Sequence, residues 1–163
     1  MDVKARIYAA LDGMGIAYAA TRHPLAHTME DLRAVEARMG CVIPKNLFLT
    51  PRNQSAFYLC LARPDAAFRT ADISKQIGSS RLSFGPADAL DALLHTHPGA
   101  VSPMGLALHD AREVGLLIDE RLTGEPFLGF HPNDNAETLV MSGADFFGVF
   151  LPSVGKTPTY VRF

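Results

Sequence analysis

Tryptophan is absent, and cysteine occurs only twice in 163 residues. Cys41 and Cys60 form no Cys-x-x-Cys pair, which excludes a cysteine zinc knuckle and a dithiol redox site. Cys41 lies four residues before Lys45, whose charge would lower the thiol pKa if the two converged. The apolar Val42-Ile43 that follows instead assigns Cys41 a core or strand-entry role, so two free, mostly buried thiols are expected. No apolar run approaches the roughly 20 residues that a membrane-spanning helix needs. The start, Met1-Asp-Val-Lys-Ala-Arg, is charged and helix-periodic, unlike a signal peptide, and a cytoplasmic location is expected. A strong excess of one charge is also lacking. With a net charge of −2 the chain has no general nucleic-acid-binding face, although a local contact with an RNA end stays open.

What is present suits one folding unit, residues 1–163, with 48% apolar and 9% aromatic residues. Val3, Ile7, Ala10, Leu11 and Met14 recur at helical spacing, predicting a helix over 2–14, followed by a strand over 16–21. Thr28 and Asp31 form a capping signal for a second helix that ends at Gly40. Residues 41–50 and 57–62 are β-rich and joined by a turn, which predicts a hairpin with Lys45 on a strand. Two short helices follow over 70–77 and 86–94, with a loop over 78–85 between them. Strands are expected over 114–119, 127–131, 137–141 and 159–163, and a helix over 143–150. Strands and helices mix without βαβ alternation or a Gly-rich phosphate loop, so the class is α+β with a mixed, largely antiparallel sheet.

Three segments carry candidate chemistry. Lys45 can aim an ammonium at a phosphate or a developing oxyanion, whereas strand alternation turns Asn46 to the opposite face unless the backbone bulges. The Gly99–Gly105 loop brings backbone N–H groups close to a ligand, and Ser102 within it lacks the Gly-x-Ser-x-Gly setting of a nucleophile. His131 stands at a strand end before a polar turn, where Asn135 and Thr138 can complete a hydrogen-bonding patch. Six histidines raise a metal-hydrolase alternative in which His95, His97, His109, Asp110 and His131 supply ligands, but their spacing matches no zinc pattern.

Taken in order, Pro44-Lys45-Asn46-Leu47-Phe48-Leu49, Arg81-Leu82-Ser83-Phe84, Pro98 through Leu106, and Phe130-His131-Pro132-Asn133-Asp134-Asn135 resemble the YbaK/prolyl-tRNA-synthetase-associated editing domains. The free-standing branch that deacylates Ala-tRNA(Pro) is the nearest in wording. The resemblance covers the chain from its first helix to about residue 150. It implies a curved, largely antiparallel sheet flanked by helices and an aminoacyl-tRNA deacylase that needs no metal or organic cofactor. Lys45, Asn46 and His131 take the catalytic positions. Gly99, Val101, Ser102, Met104, Gly105, Phe130, Asn135 and Thr138 take the substrate-binding positions, with Val101, Met104 and Phe130 as a small apolar wall that favours alanine. Lys75 and Arg81 are the candidates for the tRNA acceptor end. The implied partner is a mischarged tRNA(Pro), with prolyl-tRNA synthetase or an elongation factor as protein partners and a monomer as the acting form. Attack by water assisted by the substrate 2′-hydroxyl, and size exclusion of proline, belong to the same implication. Alternatives are a deacylase for Cys-tRNA(Pro) or for Ser- or Thr-charged tRNA, and a non-catalytic module that binds an amino acid or aminoacyl-tRNA.

Overall fold

The computed structural model describes residues 2–26 and 28–163. Helix α1 (Val3–Met14) is capped by Asp2, whose carboxylate accepts from the Ala5 N–H at 2.7 Å. Strand β1 (Tyr18–Arg22) leads to α2 (Met29–Met39). The expected capping box is present there: Thr28 Oγ1 accepts from the Asp31 N–H at 3.0 Å, and the Asp31 carboxylate accepts from the Thr28 N–H at 3.2 Å. β2 (Lys45–Pro51) and β3 (Phe57–Ala62) form the predicted antiparallel hairpin. α3 (Thr70–Ile77), β4 (Leu82–Phe84), α4 (Ala87–Leu94) and β5 (Val114–Asp119) follow, then β6 (Phe127–Phe130) and β7 (Glu137–Ser142). A helical segment opens at Gly143, passes through a π-turn at Phe146–Phe150 and ends at Ser153, before β8 (Thr159–Val161).

The strands form two sheets, ordered β1-β7-β6 and β4-β2-β3-β5-β8. All pairings are antiparallel except β3 with β5 and β5 with β8. Two boundaries differ from expectation for identifiable reasons. β2 starts at Lys45 rather than Cys41, because Pro44 has no N–H to give a ladder. Within the expected 78–85 loop, Leu82–Phe84 pairs with β2 as an edge strand too short to show periodicity.

Alternation divides β2 between two cores. Phe48 turns to the main one with Ile7, Leu11, Leu59, Phe130 and Phe146, while Leu49 joins Cys60, Ile73, Leu82 and Val161 beneath α3. Burial of each such large side chain contributes about 1.5–3 kcal/mol.

One close approach places the site. Val42 bridges to Leu128, the Gly129 N–H donating to the Val42 carbonyl at 2.9 Å, which lays residues 41–43 across β6. A Cβ on Gly129 would lie 2.8 Å from Cys41 Sγ and 3.0 Å from Ile43, so the crossing requires glycine there. The chain leaves this crossing directly into Pro44 and Lys45, beside the end of β6.

Candidate active site

A cleft of about 320 Å³ lies where the start of β2, the 99–101 loop and the end of β6 meet. Lys45, Asn46, Gly99, Val101 and His131 line it, brought together from the three segments singled out in the sequence. Met29 and Leu32 of α2, with Ile43, Pro44 and Leu47, supply an apolar wall. The lining contains no hydroxyl, thiol or carboxylate side chain.

Residues 43–47 all reach the cleft, so it straddles the beginning of β2, and alternation does not separate Lys45 from Asn46 as the sequence suggested. The Lys45 ammonium donates to the Ala66 carbonyl at 2.8 Å, which fixes the side chain and leaves two N–H donors. No carboxylate pairs with it among the described residues. Asn46 folds its amide nitrogen back to the Pro44 carbonyl at 3.1 Å, and its buried Oδ1 has no partner among the described residues. The cleft thus holds an uncompensated cation beside an unfilled acceptor.

His131 is 6% exposed at the end of β6. Its Nδ1 lies 2.9 Å from the Glu137 carbonyl, which can only accept, so Nδ1 carries the proton and Nε2 is left as an acceptor. Burial holds its pKa below the ordinary histidine value, the Glu137 carbonyl and Asp134 opposing this in part. The ring is therefore neutral near pH 7. Behind it, His23 gives its Nδ1 proton to the Pro24 carbonyl at 2.8 Å, so the Thr138 hydroxyl donates to His23 Nε2 at 2.8 Å. The two rings are 6.2 Å apart. His23 was not singled out in the sequence. Its only local signal is the His-Pro dipeptide, shared with His97-Pro98 and His131-Pro132.

A charged cluster fixes the start of β7 under this pair. The buried Glu137 carboxylate receives the Tyr8 hydroxyl, Lys4 and Arg22, and Lys4 also bonds Asp134 at 3.1 Å. Burial first, then the bond to Glu137, pushes the Tyr8 phenol well up. Asn133, at φ 57°, donates from its amide to the Leu94 and His95 carbonyls at 2.8 and 3.1 Å. The polar turn thereby closes the end of α4 and ties it to the end of β6.

Only the front of that loop faces the cleft. Gly99 sits at φ 96° with the Asn135 amide beside it, and the N–H groups of Gly99 and Val101 have no partner among the described residues. The back of the loop is an anchor. Buried Ser102 accepts from the Met104 N–H at 3.1 Å and caps a 3-10 turn over Pro103–Ala107. A Cβ on Gly105 would meet the Leu94 carbonyl at 2.8 Å. Met104 and Phe130 are 0% exposed in the main core, so of the expected apolar wall only Val101 lines the cleft. Thr138 lies behind His131, and Lys75 and Arg81 are exposed on α3 and just before β4.

The other reactive groups are placed elsewhere. Cys41 packs by Gly129, its thiol pushed up to about 11 by burial and then by Glu36, and burial pushes Cys60 to about 12. The charge of Lys45 does not activate Cys41. His95 bonds Asp110 at 2.7 Å and His97 bonds the Pro98 carbonyl at 2.9 Å. No cluster of three or more metal-ligating side chains forms among the described residues. A larger cleft of about 750 Å³ lies along β1 and β7, between residues such as Ala19 and Val140 and the end of α2, apart from all of these groups.

The model of the aminoacyl-tRNA editing domain family matches residues 23–148. The chain is 34% identical over 145 residues to the prolyl-tRNA editing protein ProX of Acetoanaerobium sticklandii, covering 89% of this chain and 88% of that protein. It is 27% identical over 165 residues to prolyl-tRNA synthetase associated domain-containing protein 1 of Danio rerio, covering 100% and 89%. Among solved structures, a candidate trans-editing enzyme for prolyl tRNA synthetase superposes with a TM-score of 0.74 at 17% identity, over 100% of this chain and 98% of that one. At that identity the superposition establishes the fold.

Proposed function

The chain belongs to the aminoacyl-tRNA editing domain family, and from that premise we propose that residues 1–163 act as one trans-editing domain that hydrolyses alanine from mischarged tRNA(Pro). Water cleaves the ester between the amino acid and the 3′-terminal adenosine, giving free alanine and an uncharged tRNA. The observation that carries this reading is the convergence of Lys45, Asn46, Gly99, Val101 and His131 on a cleft whose lining, among the described residues, offers no hydroxyl, thiol or carboxylate nucleophile. With no such group to form an acyl-enzyme, and with Lys45 and His131 held by the Ala66 and Glu137 carbonyls, direct attack by water is the simplest route.

In this mechanism the two unused donors of Lys45 hold a terminal phosphate or the oxyanion, and the free N–H groups of Gly99 and Val101 receive the ester carbonyl. Neutral His131 presents Nε2 as an acceptor for the water or for a ribose hydroxyl. The substrate 2′-hydroxyl positions the water. Asn46 Oδ1 accepts a hydrogen bond from the substrate ammonium. Thr138, Asn135, Phe130, Met104, Ser102 and Gly105 support these groups from behind, and Lys75 and Arg81 meet the acceptor end. The apolar wall accepts a methyl group and excludes the proline ring. Such a second filter is needed because a proline pocket cannot refuse a smaller residue, apolar contacts discriminating by only about 1–3 kcal/mol. The enzyme acts as a cytoplasmic monomer, on tRNA released by or handed over from the synthetase or an elongation factor.

The test is single-turnover deacylation of Ala-, Cys-, Ser- and Pro-charged tRNA(Pro) by wild type and Lys45→Ala. Lys45-dependent loss of alanine with proline spared is the expected result. A preference for cysteine or serine changes the substrate. No hydrolysis of any of the four overturns the activity.

A further inference from the structure

The sequence word Arg81-Leu82-Ser83-Phe84 lies outside the cleft, and the chemistry proposed for the cleft makes no use of its aromatic end. In the structure it forms the edge strand β4 of the five-stranded sheet. Phe84 is 63% exposed, the most exposed large apolar side chain among the described residues. An open aromatic ring on a sheet edge invites unwanted association, so its exposure calls for a reason.

The ring is held in place. Phe84 lies 6.1 Å from Phe68, and Phe68 lies 6.3 Å from Phe163. Phe68 and Phe163 both pack on the buried cluster beneath α3. Phe84 is thus backed on one side and open to solvent on the other. Strand alternation puts Lys45, Leu47 and Leu49 on one face of β2, and Phe84 is the register partner of Leu49. The ring therefore stands on the face that carries Lys45, about 13 Å along the strand at ~3.3 Å per residue. Leu47 joins the two places, since it lines the cleft and packs against the same cluster as Phe68.

The segment that contributes Phe68 and Phe84 has one dominant sign of charge. Between Ala66 and Pro86 the chain carries Arg69, Lys75 and Arg81 against a single carboxylate, Asp72, although the whole chain is net negative. All three cations are exposed, and none is ion-paired among the described residues, whereas Arg63, Arg112, Arg121 and Arg162 are. A backed aromatic face on a segment that also carries exposed, unpaired cations has the chemistry that binds single-stranded nucleic acid, bases on rings and phosphates on cations.

We propose that Phe84, supported by Phe68, stacks an unpaired base of the substrate RNA just upstream of the esterified adenosine held near Lys45, with Arg69, Lys75 and Arg81 meeting the adjoining phosphates. This subsite rests on the editing reading. It adds a part of the substrate that the cleft does not touch and gives the enzyme a hold on the single-stranded CCA end independent of the amino acid.

The test separates the two ideas by measuring binding and hydrolysis apart. Binding of an uncharged RNA hairpin ending in single-stranded CCA is followed by fluorescence anisotropy for wild type, Phe84→Ala, Phe84→Leu and Phe84→Tyr. Phe84→Ala and Phe84→Leu are expected to weaken binding about tenfold, and Phe84→Tyr to restore it, as stacking on an aromatic face requires. Hydrolysis of alanyl-tRNA is expected to lose apparent affinity with an unchanged maximal rate, and hydrolysis of alanyl-adenosine, which lacks the upstream bases, to be unaffected. Equal binding by all four proteins, full retention by Phe84→Leu, or an equal loss on alanyl-adenosine overturns the platform. Tight, Phe84-dependent RNA binding without hydrolysis of any charged tRNA by wild type keeps the platform and removes the editing reading.

Discussion

The His131 Nδ1–H is donated to the backbone carbonyl of Glu137 across 2.9 Å, and this single bond fixes which nitrogen the cleft receives. Because burial also holds the ring's pKa below that of the unfolded chain, the folded protein binds fewer protons here than the unfolded one. The associated stability is complete above about pH 6.5, the ordinary histidine value, and is lost as pH falls through the lowered native pKa. The thermal midpoint is expected to decline from pH 7 to pH 5, and deacylation to fall with it as Nε2 becomes protonated. In His131→Asn both slopes should flatten, which parallel melting curves and single-turnover rates would register.

Among the described residues Lys45 is held by one hydrogen bond and offers two more donors to a cleft without a neutralising carboxylate. Lys45→Ala is expected to reduce the deacylation rate about 10²–10³-fold, the usual cost of removing one oxyanion donor. Its urea midpoint should stay near wild type, since the side chain is only half-buried. Lys45→Arg should not restore the rate, because a planar fork cannot keep the Ala66 bond and present the same point charge. A wild-type rate in Lys45→Ala would remove the residue from the reaction.

Ser102 lies in the loop that feeds the cleft, yet its hydroxyl is spent on the Met104 N–H. Ser102→Ala is expected to cost about 1–2 kcal/mol in urea unfolding, the usual price of a lost cap. The deacylation rate below the transition should remain close to wild type. Complete loss of activity in a folded Ser102→Ala protein would instead make this hydroxyl a reacting group.

The carboxylate of Glu137 and its own carbonyl have separate duties. The carboxylate gathers Tyr8, Lys4 and Arg22, while the carbonyl holds His131. Glu137→Gln should therefore destabilise the fold by about 1–3 kcal/mol through weakened bonds to a buried charge and leave the tautomer of His131 intact. Chemical denaturation would show the loss, and the pH profile of deacylation should keep its wild-type form. A profile displaced in Glu137→Gln would mean that the carboxylate itself tunes the ring.

Much of this was legible because local chemistry and tertiary structure agree. The Thr28–Asp31 capping box, the 57–62 strand and the helix over 70–77 all stand where side-chain pattern places them. Lys45, the glycine loop and His131 were legible as segments, but their meeting was not, since it depends on residues 41–43 crossing β6 at Gly129. Alternation alone did not bring Asn46 to the cleft with Lys45, because it describes the middle of a strand and the cleft covers its end. β4 was missed because three residues carry no period. Met104 and Phe130 share the apolar character of Val101, and pattern alone could not tell a wall from the core behind it. His23 escaped notice because its partner, Thr138, lies 115 residues away.

Val101 is the one residue of the expected wall that reaches the cleft, whose apolar lining it shares with Met29, Leu32 and Leu47. If that lining sets the size limit, shortening Val101 should admit a larger amino acid before it affects the chemistry, because Lys45 and His131 sit on other segments. Val101→Ala removes two methyl-sized groups' worth of wall at most, and differences of this size are worth about 1–3 kcal/mol in discrimination. The preference for alanine over proline should therefore narrow by about tenfold or more, mainly through faster loss of proline, with alanine hydrolysis changed little. Competing single-turnover reactions on alanine- and proline-charged tRNA(Pro) would measure the ratio directly. An unchanged ratio would move the size filter from Val101 to the other side chains of the apolar wall, such as Met29 and Leu32 of α2. Equal slowing of both substrates would instead mean that Val101 serves the backbone geometry of the 99–101 loop rather than selection.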